Sequence, residues 1–334
     1  MSLLGVDLNI TMLGFGSWGL PLAILLQKNG HNVTAWDANA DYVDEIAKTR
    51  KNSSLPDIII PDSIKITSDV HIAAKDADVF VCTLVSKSLS RYAPLFSEYF
   101  TSEKIIVSGS KGLEESSQKR ISEYLHSLGK SDVVVLTGPT HAEEVLLGIP
   151  TTILAACKNK NTAQAVQGLF SSDTFRVYTS TDVIGAEIGG ALKNVIAIAA
   201  GSSDGLGFGD NTKAALITRG IAEITRLGVA LGADAATFSG LSGIGDLIVT
   251  CTSRHSRNWQ AGNALAQGLS LQDTLTKVGR VAEGVDTAAT ALRLAKSVGV
   301  EMPIVEEINR VLFEGKSPKA AVSDLMMREL KSES

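Results

Sequence analysis

Short apolar, β-branched runs alternate with amphipathic helical patterns through the first half of the chain. The spacing predicts strands over 9–13, 32–36, 79–84, 104–107, 133–136 and 151–155, and helices over 18–29, 42–48, 89–99, 116–128 and 162–169. Strand, helix and strand in this order imply βαβ units on a mostly parallel sheet. After about Ser180 the strand pattern stops. Helical patterns follow over 182–200, 212–228, 259–267, 287–294 and 302–313, separated by turns such as Asp204-Gly-Leu-Gly-Phe-Gly-Asp210. The chain is therefore expected to hold an α/β domain over 1–181 and an all-α domain over 182–334.

Composition adds boundaries to this picture. The 334 residues are 44% hydrophobic and 20% charged, which suits a globular protein with a large core. A net charge of -5 leaves no basic footprint for nucleic acid. Cys82, Cys157 and Cys251 lie far apart, so neither a disulfide framework nor a zinc site is expected. Residues 8–27 carry no charged side chain, but Asp7 stands where a basic leader region would be, and Gly14, Gly16, Gly19 and Pro21 punctuate the run. A signal or membrane segment is rejected there. The apolar stretch 183–200 is interrupted by Glu187 and Lys193, so it too reads as a core helix, and a cytoplasmic location is expected.

The first predicted strand runs directly into Gly14-Phe-Gly-Ser-Trp-Gly19, which opens the first helix. In such a fingerprint the first glycine permits the tight turn, the second lets backbone amides approach a pyrophosphate, and the third allows close helix–strand packing. Glycines that only make a turn are the duller reading, but strand, loop, helix and second strand all fall in the required order. The first domain is thus predicted to be a Rossmann-type dinucleotide-binding domain. Asp37, at the end of the second strand, suits two adenosine ribose hydroxyls and repels a 2′-phosphate, which favours NAD and leaves NADP possible. An aspartate in this place is also an ordinary turn former.

One side chain stands out in the second half. Lys193 lies inside Ile188-Gly-Gly-Ala-Leu-Lys-Asn-Val-Ile-Ala-Ile-Ala-Ala200, a run apolar nearly all round. Buried lysine is rare, and burial favours its neutral, proton-accepting form. On this stretch alone a proton carrier and a lysine snorkelling to the surface are equally good readings. Four polar islands also break the apolar background: 110–114, 137–140, 243–247 and 256–258. Each has a plain explanation by itself, as loop exit, turn, helix cap or solvated charge.

Taken in chain order, the islands resemble the bacterial NAD(P)-dependent sn-glycerol-3-phosphate dehydrogenases. The resemblance covers essentially the whole chain: GFGSWG at 14–19, SKGLE at 110–114, GPT at 138–140, GGALKNVIAIAAG at 189–201, SDGLGFG at 203–209, ALITRG at 215–220, GIGDL at 243–247, TCTSRHSRN at 250–258 and EG at 283–284. It implies a catalytic group of Lys193 as proton acceptor with Lys111 and Asp246. It implies a substrate shell of Lys111, Gly138, Thr140, Lys193, Asn194, Asp246, Thr250, Ser256, Arg257 and Asn258. The cofactor shell joins Gly14, Gly16, Ser17, Trp18, Gly19 and Asp37 to Lys111, Ala142, Arg257, Val281 and Glu283. Three segments depart from the family pattern: Trp36-Asp-Ala-Asn39, where a basic or histidine residue is usual, Leu84-Val-Ser86 and Gly19-Leu-Pro21. The first agrees with the NAD preference argued from Asp37.

The expected reaction interconverts sn-glycerol 3-phosphate and dihydroxyacetone phosphate by hydride transfer, supplying glycerol phosphate for phospholipid synthesis. A lysine-dependent hydroxy-acid or sugar-acid dehydrogenase is the alternative enzyme. A silent NAD-sensing module is a further one, which could discard Lys193 and Arg257. Arg257 offers a forked donor set for phosphate, and Asn258 is expected just ahead of a helix start whose amides share the oxygens. A homodimer is expected, and no metal site. His141 follows the Gly-Pro-Thr turn, but a packing or solvent role is the preferred reading.

Overall fold

The computed structural model describes residues 7–53, 55–279, 282–330 and 332. Two compact units divide the chain, Met1–Glu187 and Ile188–Ser334.

Among the described residues the first unit has ten strands: β1 (Asn9–Leu13), β2 (Asn32–Trp36), β3 (Lys51–Asn52), β4 (Leu55–Ile59), β5 (Lys65–Thr67), β6 (Val79–Cys82), β7 (Ile105–Ser108), β8 (Asp132–Thr137), β9 (Thr151–Ala156) and β10 (Phe175–Ser180). Eight of them form one sheet in the order β10-β9-β8-β7-β6-β1-β2-β5, and β3 pairs with β4 in a separate hairpin. From β5 to β8 all neighbours are parallel, and β9 joins β8 antiparallel. The strand order reverses direction at β1, the point at which α/β sheets open a crevice for ligands. Both sides of the sheet are covered, as a parallel sheet requires. Ile10 and Met12 pack into one core with the helix Gly19–Lys28, while Leu13, Trp36 and Phe80 pack into the other with Phe96 and Phe100. Trp36 meets Phe96 edge-on at 4.9 Å between ring centres.

Several elements differ from the sequence expectation. The helix expected over 116–128 is confined to Ile121–His126. Glu114 accepts bonds from the backbone and hydroxyls of Ser116 and Ser117, and Gln118 takes a left-handed φ of 57°, so the preceding residues form a turn. Residues 89–99 form an α-helix over Ser86–Tyr92 and a 3₁₀ turn over Ala93–Tyr99, because Pro94 has no N–H to continue the α-pattern. The strands β3, β4, β5 and β10 were not foreseen. The first three are short or half-exposed, and in β10 buried residues alternate with polar exposed ones.

The second unit is helical. Its central element is the helix Val183–Gly205, whose second-unit part begins at Ile188. Long enough and apolar enough to cross a bilayer, this helix has 94% of its apolar window buried within the protein. Around it stand Asp210–Ala230, Asp246–Thr252, Arg257–Ala266, Glu283–Ser297 and Pro303–Phe313. Glycine makes the tightest approaches possible: a Cβ at Gly201 would overlap the Trp259 carbonyl, and one at Gly189 would overlap that of Ser242.

Candidate active site

In the first unit, strand register gathers the predicted dinucleotide residues. Leu13 is aligned with Trp36 on one side and Cys82 on the other, so Gly14, Asp37 and Thr83 leave the sheet together at its carboxyl edge. Gly14 N–H donates to the Trp36 carbonyl at 2.9 Å, and Thr83 N–H donates to that of Leu13 at 2.9 Å. Gly14 has a φ of 92°, which a side chain rarely adopts. A Cβ at Gly19 would overlap the Gly14 carbonyl, whereas one at Gly16 would meet nothing within 4 Å. The exposed Gly16 backbone thus borders open space beside the start of the helix Gly19–Lys28. That helix has no side-chain cap and no acidic residue in its first turn, which suits an anion at its positive end. Ser17 and Trp18 are half-buried in the same loop. These features fit a dinucleotide pyrophosphate.

Asp37 holds two backbone donors. Its carboxylate accepts from Phe15 N–H at 3.4 Å and from Asn39 N–H at 3.1 Å. It therefore shapes its own turn and also faces the fingerprint loop. Three side chains that the sequence reading did not name brace this loop: Tyr42 and Asn52 donate to the Phe15 carbonyl, and Thr83 donates to that of Gly14 at 2.8 Å. Burial, with Asp37 and Glu45 nearby, pushes the Tyr42 phenol up to about 12, so it remains a donor. Asn52 and Thr83 carry no local pattern that sets them apart from turn formers.

Lys111, Gly138, Thr140 and Ala142 follow the carboxyl ends of β7 and β8, on the same edge. Gly109 N–H donates to the Cys82 carbonyl and Ser110 Oγ to that of Leu84, which anchors the segment carrying the half-buried Lys111. Thr140 Oγ1 donates to the Gly138 carbonyl at 3.1 Å.

The second unit brings a different set together. Lys193 is 4% exposed and Asp246 is 0% exposed, so the ammonium does not snorkel out of the helix. Lys193 Nζ donates to Asp246 Oδ1 and, at 2.9 Å, to Thr250 Oγ1. Thr250 in turn donates to the Asp246 carbonyl at 2.6 Å, one turn back on its own helix. Asp246 stands where a π-turn over Leu241–Gly245 passes into the helix Asp246–Thr252. Inside that turn Gly243 leaves helical geometry, and a Cβ there would overlap Phe238 backbone. The π-turn has no sequence signature beyond the glycines of GIGDL; the resemblance named Asp246 beside Lys193, and the turn is what seats it there.

Next to this pair lies a network of amides. Asn258 Nδ2 donates to Asn194 Oδ1 at 3.0 Å, and Asn258 Oδ1 accepts from Gly284 N–H at 2.9 Å. Asn194 Nδ2 donates to Glu283 at 3.4 Å. Both amides are buried, and each of the two Asn258 bonds takes one of the two hydrogens on Nδ2 or one of the two lone pairs on Oδ1. The helix start lies two residues earlier than the sequence suggested. Arg257 is its first residue and exposed, Asn258 lies within it, and Ser256 is the N-cap, accepting from Trp259 N–H at 3.3 Å. Val281 lies outside the described residues.

Two family models match the chain: the NAD-dependent glycerol-3-phosphate dehydrogenase N-terminus over residues 9–163, and the NAD-dependent glycerol-3-phosphate dehydrogenase C-terminus over 182–323. A glycerol-3-phosphate dehydrogenase [NAD(P)+] of Lysinibacillus sphaericus is 51% identical over 329 residues, with 97% of each chain covered. The protein of the same name from Bacillus subtilis is 49% identical, covering 96% of this chain and 94% of its own. Among solved structures, glycerol-3-phosphate dehydrogenase from Coxiella burnetii superposes with a TM-score of 0.93 at 33% identity, covering 96% of this chain and 99% of that one.

Proposed function

This chain belongs to the NAD-dependent glycerol-3-phosphate dehydrogenase family, and on that premise we propose that it interconverts sn-glycerol 3-phosphate and dihydroxyacetone phosphate, supplying glycerol phosphate for phospholipid synthesis. The observation that carries the chemistry is a lysine buried in an apolar helix with its amine fixed by Asp246 and Thr250. The nicotinamide, when bound, supplies or accepts the hydride. The protein must move the hydroxyl proton. A neutral amine has two N–H donors and one lone pair, so Lys193 can keep both of its bonds after deprotonation while the lone pair accepts the proton of the C2 hydroxyl. In the reverse direction its ammonium returns that proton to the carbonyl oxygen. Asp246 and Thr250 aim the amine.

The remaining roles follow from charge and backbone. Lys111 polarises the developing oxyanion, with Gly138 and Thr140 beside it on the same sheet edge. Arg257, with Ser256 and Asn258 at a helix start, holds the phosphate. Gly14, Gly16, Ser17, Trp18 and Gly19 cradle the pyrophosphate, and Lys111, Ala142, Arg257, Val281 and Glu283 complete the cofactor shell. Asp37 favours NAD over NADP, since its carboxylate would repel a 2′-phosphate. A homodimer and a cytoplasmic location complete the reading. The dimer draws support from exposed apolar side chains of the second unit, Val229, Phe313, Met326 and Met327.

A spectrophotometric assay tests the reaction: NADH should be consumed with dihydroxyacetone phosphate, and no turnover with that substrate would overturn it. In the same assay kcat/KM should be higher with NADH than with NADPH. A tenfold preference for NADPH would remove Asp37 from its role.

A further inference from the structure

We propose that Asp204 is a positioning residue for phosphate recognition, acting through Trp259 on the helix start that carries Arg257. The inference rests on the reading of Arg257 as the phosphate anchor. Asp204 belongs to Ser203-Asp-Gly-Leu-Gly-Phe-Gly209, a segment to which the chemistry above gives no role.

Three helices meet at its carboxylate. Asp204 lies in the last turn of the helix Val183–Gly205, and its Oδ2 accepts the Trp259 indole N–H at 2.7 Å. The same oxygen pairs with Lys213 Nζ at 2.9 Å, from the first turn of the helix Asp210–Ala230. Trp259 is the third residue of the helix Arg257–Ala266, two places after Arg257. Its backbone is tied as well, because its N–H donates to the Ser256 cap and its carbonyl touches the glycine face at Gly201. The Asp204 and Lys213 side chains are 18% and 22% exposed, a setting in which a charge-assisted bond is only partly screened.

The consequence is geometric. Arg257 stands exposed at the first position of its helix, so the place of its guanidinium follows from where that helix begins. Asn258, bonded to Asn194 and Gly284, holds one side of this helix start, and the indole–carboxylate bond supplies a second, lateral stop against rotation about the helix axis. Loss of that stop displaces the guanidinium and the first-turn amides together, and leaves Lys193, Asp246 and Thr250 in place on their own bonds. The effect therefore belongs to the affinity for the phosphate ester rather than to the proton step.

Steady-state kinetics on Asp204→Ala, Trp259→Phe, Asp204→Asn and Arg257→Ala, with thermal midpoints for each, test this. Asp204→Ala and Trp259→Phe should each raise KM for dihydroxyacetone phosphate about tenfold, the scale of one net hydrogen bond, with kcat and the KM for NADH within about twofold. Asp204→Asn keeps an oxygen acceptor for the indole and should stay near the wild-type KM. With dihydroxyacetone, which lacks the phosphate, all three should match wild-type kcat/KM. If Arg257→Ala raises KM and the Asp204 and Trp259 variants do not, the positioning role is overturned and the phosphate anchor stands. If Arg257→Ala itself leaves KM unchanged, the anchor falls and the inference with it. A parallel loss with dihydroxyacetone, or KM rising for both substrates with a lowered midpoint, would show a general structural role and also overturn the proposal.

Discussion

Lys193 and Asp246 form a buried pair, and a buried pair makes its two partners unequal to remove. Replacing the lysine alone leaves a carboxylate of 0% exposure without its counter-charge, which costs about 3–5 kcal/mol. Lys193→Met should therefore lose at least ~10²-fold in kcat, the usual scale for a general acid–base group, and also unfold at a lower temperature. Lys193→Met combined with Asp246→Asn removes the stranded charge. It should recover much of the thermal midpoint and none of the turnover, as seen by thermal denaturation beside single-turnover kinetics. A double variant that turned over normally would show that the proton moves elsewhere. At this scale the local stretch displayed the anomaly, a lysine in an apolar run, and left its meaning open, while the resemblance named it proton acceptor and set Asp246 and Thr250 in the same site. What decides between carrier and snorkel is a pair of partners 53 and 57 residues away, brought in by a π-turn that no local pattern announces.

Elements carry their own tests, because short segments tie them together. Glu223, on the helix Asp210–Ala230, accepts from Ile304 N–H at 2.9 Å and from Val305 N–H at 3.4 Å, and so caps the helix Pro303–Phe313 from outside. Burial pushes its carboxyl up to about 7 against an ordinary 4.5, despite those two donors. Between these values the folded chain binds a proton that the unfolded chain has released, so stability falls as pH rises from about 4.5 to 7 and levels off above. Glu223→Gln removes that slope. Its thermal midpoint relative to wild type should rise from pH 5 to pH 8, by up to ~3 kcal/mol in stability, and a constant difference would refute the assignment. The fingerprint loop offers a second contrast. Gly16→Ala adds a Cβ to open space and should leave the thermal midpoint unchanged while weakening NADH binding, measured by fluorescence titration; Gly19→Ala collides with Gly14 and should lower both. The long periodic elements were legible in the sequence because one periodicity dominates each of them. The failures have local causes: Glu114 and Gln118 convert the start of a helical pattern into a turn, and β5 is only three residues long.

At the scale of the whole molecule, mass action makes the binding of each ligand measurable. The change from strand to helix periodicity near Ser180 announced two parts, but the contact division falls inside the helix Val183–Gly205, where periodicity has no break to show. A ligand that binds only the folded state at a hundred times its Kd contributes about 2.7 kcal/mol, roughly 5–10 °C in midpoint for units of this size. NADH should produce such a shift by itself, and glycerol 3-phosphate added to the NADH-saturated protein, a pair that cannot react, should add a second. Substitutions ought to separate the two. Gly16→Ala reduces the NADH shift because its Cβ takes space beside the pyrophosphate loop of the first unit. Arg257→Ala, at a helix start of the second unit, retains most of the NADH shift and loses the second one. Scanning calorimetry of the wild type and both variants, with each ligand in turn, gives the comparison. If Arg257→Ala kept the full response to glycerol 3-phosphate, the phosphate would have to be held by other residues.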